Sequence, residues 1–374
     1  MAPTVLHLRS ETKPLERRSA LTPTTTKALL DAGYIVNVER SPGRIFDDGE
    51  FEAVGATLVP EGSWVDAPKD HIIVGLKELP ESDAPLHHQH IQFGHCYKYQ
   101  ENWDRYLSRF VRGGGTLYDI EFLTDESGRR VSAFGYNAGY AGAAVALLAW
   151  SHQLVHPTVA MPSLPMYPSA TPLIADVEAS LASAIPHNNS QHPRVLIMGA
   201  LGRCGTGAID FCLAAGIPAS NLVKWDLAET AAGGPFPEIA ASDIFINCVY
   251  LFTPIPPFIT LDSLAKPGRK LRVACDISCD PNSTNNPMPI YREYTTFTRP
   301  TQPIHVEGDG PPLTVISIDH LPSLVPREAS EAFSAGVLPS LKVLDNRHDE
   351  GVWVRAEKLF KEKASELPAA LVGS

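Results

Sequence analysis

Short apolar runs alternate with helical patterns from residue 4 to residue 123 of the chain. Apolar runs of this length predict strands, and apolar positions that recur every three or four residues predict helices. The predicted strands are Val5–Leu8, Tyr34–Val38, Ile72–Leu76, Ile91–Phe93 and Thr116–Ile120, and the predicted helices include Thr24–Ala32 and Asn102–Val111. This alternation is typical of βα units, so a mostly parallel sheet is expected.

A second alternating series begins at Arg194. Its predicted strands are Val195–Met198, Leu222–Trp225, Ile244–Cys248, Leu271–Cys275 and Leu313–Ile318, followed by helical patterns over 328–344 and 352–366. Between the two series, residues 137–155 predict one long helix with many small residues. Residues 157–192 are rich in Pro, Ser, Ala and His, which predicts a surface excursion or linker.

Together these patterns predict an α/β protein of two Rossmann-like domains with mostly parallel sheets and an active site in the cleft between them. The length of 374 residues suits two domains. Terminal helices after a Rossmann unit often pack back on the first domain. We therefore expect a discontinuous substrate and catalytic domain, 1–136 plus about 325–374, and a dinucleotide-binding domain over 137–324.

The chain carries a formal charge of −11, from 31 basic and 42 acidic side chains. Nucleic acids and anionic membranes favour partners of the opposite sign, so neither is expected. No apolar run reaches the ~18 residues that a membrane span needs. The start shows no signal-peptide pattern, and the final residues are no peroxisomal address. We expect a cytoplasmic protein.

The six cysteines form no CxxC pair, and no nearby His completes a zinc set with Cys275 and Cys279. No metal is therefore expected. In a reducing cytoplasm most of these cysteines should be buried thiols without a disulfide.

The strand Val195–Met198 runs into a turn with glycines at 199, 202 and 205, and a helical pattern follows. This order is typical of a dinucleotide-binding turn, in which phosphates lie on the helix N-terminus. The GxxGxxG spacing alone is weak, and a helix-start loop without a ligand would look similar. A second strand that ends in Asp226 strengthens the interpretation, because a carboxylate there accepts hydrogen bonds from the adenosine ribose. It would repel a 2′-phosphate, so NAD is favoured over NADP.

Two predicted strands of the first half are followed by reactive side chains, Lys77 and His95, and a third runs into the charged loop 11–18. Ligands bind at the carboxyl ends of strands in open α/β sheets, so these groups are expected at one crevice. Taken singly, Lys77 could be a solvated tip, His95 a half-buried structural histidine and Arg129-Arg130 an exposed turn. A lysine with a histidine suits amine–carbonyl redox chemistry, which needs several proton transfers near neutral pH.

Several long segments carry a resemblance to the fungal saccharopine dehydrogenases that form L-lysine with NAD, in the wider alanine dehydrogenase/transhydrogenase-like superfamily. They are His7–Arg18, Ile73–Pro80, Ile91–Lys98, Gly128–Arg130, Gly199–Gly205 and Ile316–Ser330. The resemblance implies reversible conversion of saccharopine, NAD and water to L-lysine, 2-oxoglutarate and NADH, the last step of lysine synthesis by the aminoadipate route. A monomer is also implied.

The resemblance further implies roles for individual residues. Lys77 resembles the family's proton acceptor and His95 its proton donor, with Lys13 and Glu16 in a network that tunes the pair. Saccharopine is expected at Arg18, Lys77, Gln100, Arg130, Phe134, Ser278, Cys279 and Asp280. NAD is expected at Arg129, Gly202, Arg203, Asp226, Thr230, Tyr250, Ile277, Ile318, Asp319, His320 and Leu321. Cys204 and Cys248 match a pair that can form a disulfide beside the cofactor.

Two other interpretations stay open from the sequence. An alanine-dehydrogenase-like amino-acid oxidoreductase would have the same two-domain plan and could use the same lysine and histidine. A catalytically silent NAD-binding module could report redox state through Cys204 and Cys248. The presence of Lys77, His95 and Arg18 argues against the silent module, because such a module needs no proton-transfer pair.

Overall fold

The structure is a computed structural model that describes residues 3–279, 281–349 and 351–372. The chain divides into two compact units. Unit 1 comprises Met1–Ala133 and Pro326–Ser374, and unit 2 comprises Phe134–Val325. Among the described residues, no helix has both the length and the apolar character to cross a lipid bilayer.

Each unit contains a six-stranded sheet with helices. In chain order the strands are β1 Val5–Leu8, β2 Ile35–Glu39, β3 Thr57–Val59, β4 Ile72–Val74, β5 Gln89–Gln92, β6 Thr116–Asp119, β7 Val195–Met198, β8 Leu222–Trp225, β9 Ile244–Asn247, β10 Val273–Asp276, β11 Gln302–Ile304 and β12 Leu313–Ile316. The α-helices are α1 Pro23–Asp31, α2 Asp48–Ala53, α3 Trp103–Gly113, α4 Gly135–Val155, α5 Ala170–Ala184, α6 Arg203–Ala214, α7 Leu227–Thr230, α8 Pro237–Ala240, α9 Leu261–Leu264, α10 Pro326–Leu341, α11 Gly351–Ser365 and α12 Ala369–Val372.

The sheet of unit 1 is parallel throughout, in the order β3-β2-β1-β4-β5-β6. Central strand β4 is buried on both faces, as expected when helices cover a parallel sheet. The order puts the carboxyl ends of β1, β4, β5 and β6 side by side. The residues that follow these four strands are therefore neighbours.

The C-terminal helices complete the core of unit 1. Phe360 of α11 packs in one apolar cluster with Leu107 and Phe110 of α3. The Trp353 ring meets the Tyr118 ring of β6 edge-on, with centroids 5.3 Å apart. Large apolar side chains of α11 thus belong to the core of unit 1, although they follow unit 2 in the sequence.

Unit 2 holds the second sheet, in the order β11-β12-β10-β9-β7-β8, with β11 as an antiparallel edge strand. Every residue of β7 and β9 is buried. Helix α4 is apolar on all sides and is buried along most of its length. The structure thus confirms an α/β protein with two mostly parallel sheets.

The prediction of a surface excursion or linker over 157–192 is wrong for residues 170–184. Residues Ala170–Ala184 form α5, and Leu173, Val177 and Leu181 are buried in the core of unit 2. These apolar positions recur every four residues, which is a helical period. The polar and small residues between them concealed this period. The short strands β3 and β11 were also missing from the predicted set.

Candidate functional site

Lys77 lies just beyond β4, and a buried ion pair holds its backbone. The Glu11 carboxylate accepts N–H bonds from Leu76 at 2.6 Å and from Lys77 at 3.0 Å. The guanidinium of Arg9 donates to the Lys77 carbonyl and lies 3.3 Å from Glu11. Lys77 is itself buried. Its place at the strand end is therefore fixed by charge-assisted hydrogen bonds.

His95 follows β5 with a backbone φ of +49°, a left-handed conformation that is uncommon outside glycine. Its ring stacks on Phe93, with centroids 5.9 Å apart. Its Nε2 lies 3.5 Å from Oε2 of Glu78. The strained turn thus presents the imidazole to the residue that directly follows Lys77.

Glu78 is the carboxylate that links the predicted proton-transfer groups. Its Oε1 lies 3.0 Å from Nζ of Lys13, and its Oε2 faces His95. Burial raises the pKa of Glu78, but the positive charges of His95, Lys13 and Lys77 outweigh burial and leave the pKa below its ordinary value. The structure therefore brings Lys13, Lys77 and His95 around one ionised carboxylate.

The loop 11–18 contributes a second, more deeply buried pair. Arg18 donates from Nε and Nη2 to the two oxygens of Glu16, at 2.8 and 2.7 Å. Burial opposes ionisation of Glu16, yet the charges of Arg18 and then Lys77 lower its pKa to about 2. The Lys77 charge acts on Glu16 as well as on Glu78, so Glu16 lies within electrostatic range of Lys77.

Glu121, just after β6, holds two more of the basic groups. Its Oε1 accepts from Lys98 at 2.7 Å and from Arg130 at 2.8 Å. The side-chain oxygen of Gln100 accepts the backbone N–H of Lys98 at 3.0 Å. The structure therefore groups Gln100 and Arg130 in one part of unit 1. Arg129 differs, since its side chain is 78% exposed on the neighbouring turn.

Asp119 ties the loops after β5 and β6 together. It is buried and accepts the N–H of Gly94 at 3.1 Å and the N–H of Glu121 at 2.9 Å. Burial, with the nearby Glu121 charge, raises its pKa to about 7 despite these hydrogen bonds. The loop that carries His95 is thus fixed to the loop that carries Glu121.

A cavity of about 480 Å³ opens beside His95 within unit 1. Its lining includes Glu78, Gln100, Trp103 and Tyr106. A space of this size accommodates part of an amino-acid substrate, with polar groups on one side and aromatic rings on the other.

In unit 2 the glycine turn after β7 has the expected geometry. Gly199 adopts φ +81°, and Gly202 is the N-cap of α6 without any side-chain cap. A Cβ at Gly205 would collide with the Gly199 carbonyl and lie 2.6 Å from the Ala200 Cα, which confirms that close helix packing requires glycine there. Exposed Arg203 begins α6. The uncapped N–H groups of this helix suit a phosphate.

Asp226 follows β8 and joins it to the glycine turn. Its Oδ2 accepts the N–H of Leu201 and its Oδ1 the N–H of Leu227, both at 2.9 Å. The hydroxyl of Thr230 donates to the Asp226 carbonyl at 2.9 Å. The carboxylate is only partly buried, so it remains accessible next to the turn.

The other predicted positions of unit 2 cluster at the ends of β9, β10 and β12. Tyr250 follows β9 and is exposed, and Ile277 and Ser278 follow β10. Cys279 is buried, with φ +47°. Asp280 lies outside the described residues.

Beyond β12, Ile318 and Leu321 are buried while Asp319 is exposed. The ring of His320 packs edge-on against Phe297, with centroids 5.1 Å apart. Phe134, predicted to contact saccharopine, is the N-cap of α4.

Cys204 and Cys248 are both thiols in this structure. They are close enough to interact, since a hydrogen bond with Cys204, followed by burial, raises the pKa of Cys248 well above its ordinary value. The residues described contain no cluster of His, Cys, Asp and Glu that could hold a metal ion.

Sequence reasoning missed the carboxylates that organise unit 1, namely Glu11, Glu78, Asp119 and Glu121. A signal existed for Glu78, which directly follows Lys77, and for Asp119, which lies in a predicted strand. Nothing local in the sequence marked the pairing of Glu121 with Lys98 and Arg130.

Comparisons with known proteins identify relatives of the chain. Residues 7–141 match the family model "Alanine dehydrogenase/PNT, N-terminal domain". The chain is 60% identical over 368 residues to a Neurospora crassa protein named saccharopine dehydrogenase [NAD(+), L-lysine-forming], covering 98% of each chain. It is 56% identical to the Schizosaccharomyces pombe protein of that name, covering 97% of this chain and 99% of the relative. Among solved structures, an L-alanine dehydrogenase shares the fold with a TM-score of 0.64 at 17% identity, covering 96% and 94% of the two chains.

Proposed function

The chain belongs to the family of NAD-dependent, L-lysine-forming saccharopine dehydrogenases, and from this membership we propose that it cleaves saccharopine reversibly to L-lysine and 2-oxoglutarate. In the cell this would be the last step of lysine synthesis by the aminoadipate route. The observation that carries the proposal is the Glu78 carboxylate, which joins Lys13 and His95 directly beside Lys77. That arrangement supplies the proton-transfer groups that the reaction needs.

NAD fits the glycine turn of unit 2. The uncapped start of α6 would hold the pyrophosphate, with Gly202 and Arg203 beside it, and Asp226 would accept hydrogen bonds from the ribose. When bound, NAD⁺ supplies the hydride acceptor for the C–N carbon. The remaining proposed contacts are Arg129, Thr230, Tyr250, Ile277, Ile318, Asp319, His320 and Leu321.

Lys77 and His95 would carry the protons. Hydride can leave the C–N carbon only while the nitrogen is neutral, so Lys77 accepts the proton that the secondary amine gives up. Water then adds to the resulting imine, and the carbinolamine breaks its C–N bond as His95 protonates the departing amine of lysine. Glu78 favours the cationic forms of both groups, because an adjacent negative charge stabilises them.

The three carboxylates of saccharopine would bind the basic groups of unit 1. Arg18 and Arg130 are each oriented by a carboxylate of the protein, Glu16 and Glu121 respectively. A substrate carboxylate would share these guanidinium groups through forked hydrogen bonds. Further proposed substrate contacts are Gln100, Phe134, Ser278, Cys279 and Asp280.

The test follows NADH absorbance with L-lysine and 2-oxoglutarate as substrates. Oxidation of NADH that needs both substrates, and that L-ornithine or pyruvate cannot support, is the expected result. Activity with pyruvate and ammonia, and none with lysine and 2-oxoglutarate, would instead favour an alanine-dehydrogenase-like enzyme. NADH binding without any turnover would favour a silent redox module.

Cys204 and Cys248 are proposed to form a reversible disulfide that lowers NAD affinity, since both lie beside the glycine turn. The measurement is NADH affinity before and after mild thiol oxidation, with Cys204→Ser as the variant that cannot respond. Unchanged affinity of the oxidised wild type would reject the proposal.

A cytoplasmic monomer is also proposed, on the family resemblance and the absence of a targeting pattern in the sequence. Cell fractionation and light scattering test the two parts of this proposal separately.

A further inference from the structure

A buried carboxylate at the end of β10 lies at the centre of a hydrogen-bond network in unit 2. Asp276 is 1% exposed. Its Oδ1 accepts from the Ser278 hydroxyl at 2.6 Å and from the Cys279 N–H at 3.3 Å. The same oxygen accepts from Nδ2 of Asn247 at 3.0 Å, and Oδ2 accepts from the Tyr291 hydroxyl at 2.6 Å. A carboxyl group buried this deeply is tolerated because hydrogen-bond donors surround it.

Asn247 extends the network to the neighbouring strand. It ends β9 and lies opposite Asp276 in the register of the sheet. Its Oδ1 accepts the N–H of Val249 at 3.1 Å, and its Nδ2 lies 3.3 Å from the Val249 carbonyl. The same Nδ2 lies 3.1 Å from the Ser278 hydroxyl. The Asn247 side chain thus fixes the backbone that follows β9 and contacts a residue that follows β10.

The two segments held in this way, 248–250 and 277–279, carry proposed binding residues. Tyr250 and Ile277 are proposed NAD contacts, and Ser278 and Cys279 are proposed saccharopine contacts. Cys279 adopts φ +47°, a left-handed conformation that is unfavourable for a non-glycine residue. The hydrogen bond from its N–H to Asp276 helps to hold this conformation.

We propose that Asp276 is a positioning residue for the reaction, which acts with Asn247 and Tyr291 to fix the segments 248–250 and 277–279. It acts through the backbone of Cys279 and through the Ser278 hydroxyl. The proposal rests on the proposed function for the identity of the substrate. Loss of the network should therefore weaken binding of NADH and saccharopine more than it slows proton transfer.

The network should keep one hydrogen-bonding pattern across the working pH range. Tyr291 is 4% exposed, and burial, followed by the charge of Asp276, raises the pKa of its hydroxyl far above the ordinary value. The phenol therefore stays a donor. A variant that breaks the network should raise KM without changing the shape of the pH–rate profile.

Tyr291→Phe tests the proposal, with Tyr167→Phe as the matched control. Tyr167 is also buried in unit 2, and its hydroxyl donates to Oδ2 of Asp176 at 2.9 Å. Both variants lose a phenol–carboxylate hydrogen bond, so both should lower the melting temperature by a few degrees. Only Tyr291→Phe should raise KM for saccharopine and Kd for NADH, by roughly tenfold, with kcat changed much less.

Equal KM and Kd values for Tyr291→Phe and wild type would overturn the proposal, and so would an equal loss of substrate and NADH affinity in Tyr167→Phe.

Asp276→Asn gives a second measurement. Its amide has one oxygen, which cannot accept from Tyr291 and also from Ser278 and Cys279. It should weaken NADH binding at least as much as Tyr291→Phe. If the wild type does not turn over saccharopine, the proposed function fails. The NADH titrations then still decide whether Asp276 positions the cofactor segments.

Discussion

The candidate sites of the two units are stabilised by different kinds of interaction. In unit 1 the reactive groups are held by side-chain charges, with Glu78 between Lys13 and His95, and Glu16 against Arg18. In unit 2 the glycine turn depends on close backbone packing, since a Cβ at Gly205 has no room, and one carboxylate, Asp226, accepts the N–H of Leu201 within it. Charge arrangement therefore dominates the candidate site of unit 1, and steric fit dominates the proposed cofactor site of unit 2.

This contrast teaches which substitutions each site should tolerate. A change that removes a charge but keeps the size of the side chain should damage unit 1 without unfolding it. A change that adds a single methyl group at Gly205 should damage the turn of unit 2, because the new Cβ would overlap backbone atoms. Four predictions follow this division, from the largest expected effect to the smallest.

Lys77→Met and His95→Gln should each lower kcat by about 10²–10⁴-fold, because each removes one proton-transfer group. Steady-state kinetics with lysine and 2-oxoglutarate measure the loss. Lys69→Met and His87→Gln, at exposed positions of unit 1, are the controls and should leave kcat unchanged. Undiminished turnover in both catalytic variants would show that the assignment of this pair is wrong.

Gly205→Ala should destabilise the protein by about 1–3 kcal/mol, because its Cβ would overlap the backbone of Gly199 and Ala200. Gly202→Ala is the matched variant, since its Cβ would lie 3.4 Å from the Gly199 carbonyl, an ordinary contact. We expect Gly202→Ala to keep the melting temperature but to weaken NADH binding at the pyrophosphate. Equal melting temperatures for the two variants would contradict the steric argument.

Asp226→Asn should raise Kd for NADH by about tenfold and reduce the preference for NADH over NADPH, because the charged acceptor for the ribose is lost. Asp262→Asn, at an exposed position in α9, serves as the control. Fluorescence titration with both cofactors measures the two constants. An unchanged NADH to NADPH ratio would argue against ribose recognition by Asp226.

Asp119→Asn should change how stability depends on pH. The folded protein keeps the Asp119 proton up to a pKa of about 7, whereas an unfolded chain releases it near pH ~4. The folded state thus binds more protons between these values, so this group's contribution to stability falls as pH rises through the interval. The melting temperature of the variant relative to wild type should therefore increase from about pH 5 to about pH 8.

Glu126→Gln, an exposed carboxyl in the same unit, is the control for Asp119 and should show no such trend. The diagnostic quantity is how the melting-temperature difference between Asp119→Asn and wild type changes with pH. The size of that difference at one pH is not diagnostic, because the asparagine amide also loses an acceptor for the N–H of Gly94 or Glu121. A melting-temperature difference that stays constant from about pH 5 to about pH 8 would mean that Asp119 is already ionised in the folded protein.

Much of the fold could be predicted because its strands are short apolar runs with clear boundaries. Val5–Leu8, Val195–Met198 and Leu222–Trp225 were predicted with the bounds that the structure has. Helix α5 was missed because its buried residues lie in a segment rich in Pro, Ser, Ala and His, a composition typical of surface loops. Composition describes a whole segment, whereas burial follows the helical period.

The positions of Lys77, His95 and Asp226 in the fold could be predicted, because each of them comes shortly after a strand. The partners of these residues come from distant parts of the chain and depend on strand order. Glu121 and Lys98 meet because β5 and β6 are adjacent, and Asp276 and Asn247 meet because β10 pairs with β9. Strand order is not encoded in any local pattern, so these pairs could not be foreseen.

The discontinuity of unit 1 has a consequence for synthesis on the ribosome. Residues 134–325 leave the ribosome as one continuous stretch, so unit 2 has its whole sequence before the last helices emerge. Unit 1 must wait for Trp353 and Phe360, which pack on β6 and α3. The half that carries Lys77 and His95 is therefore the last to complete its core. A nascent chain that stops short of α11 would have the complete sequence of unit 2, while unit 1 would still expose the apolar surfaces that Trp353 and Phe360 cover.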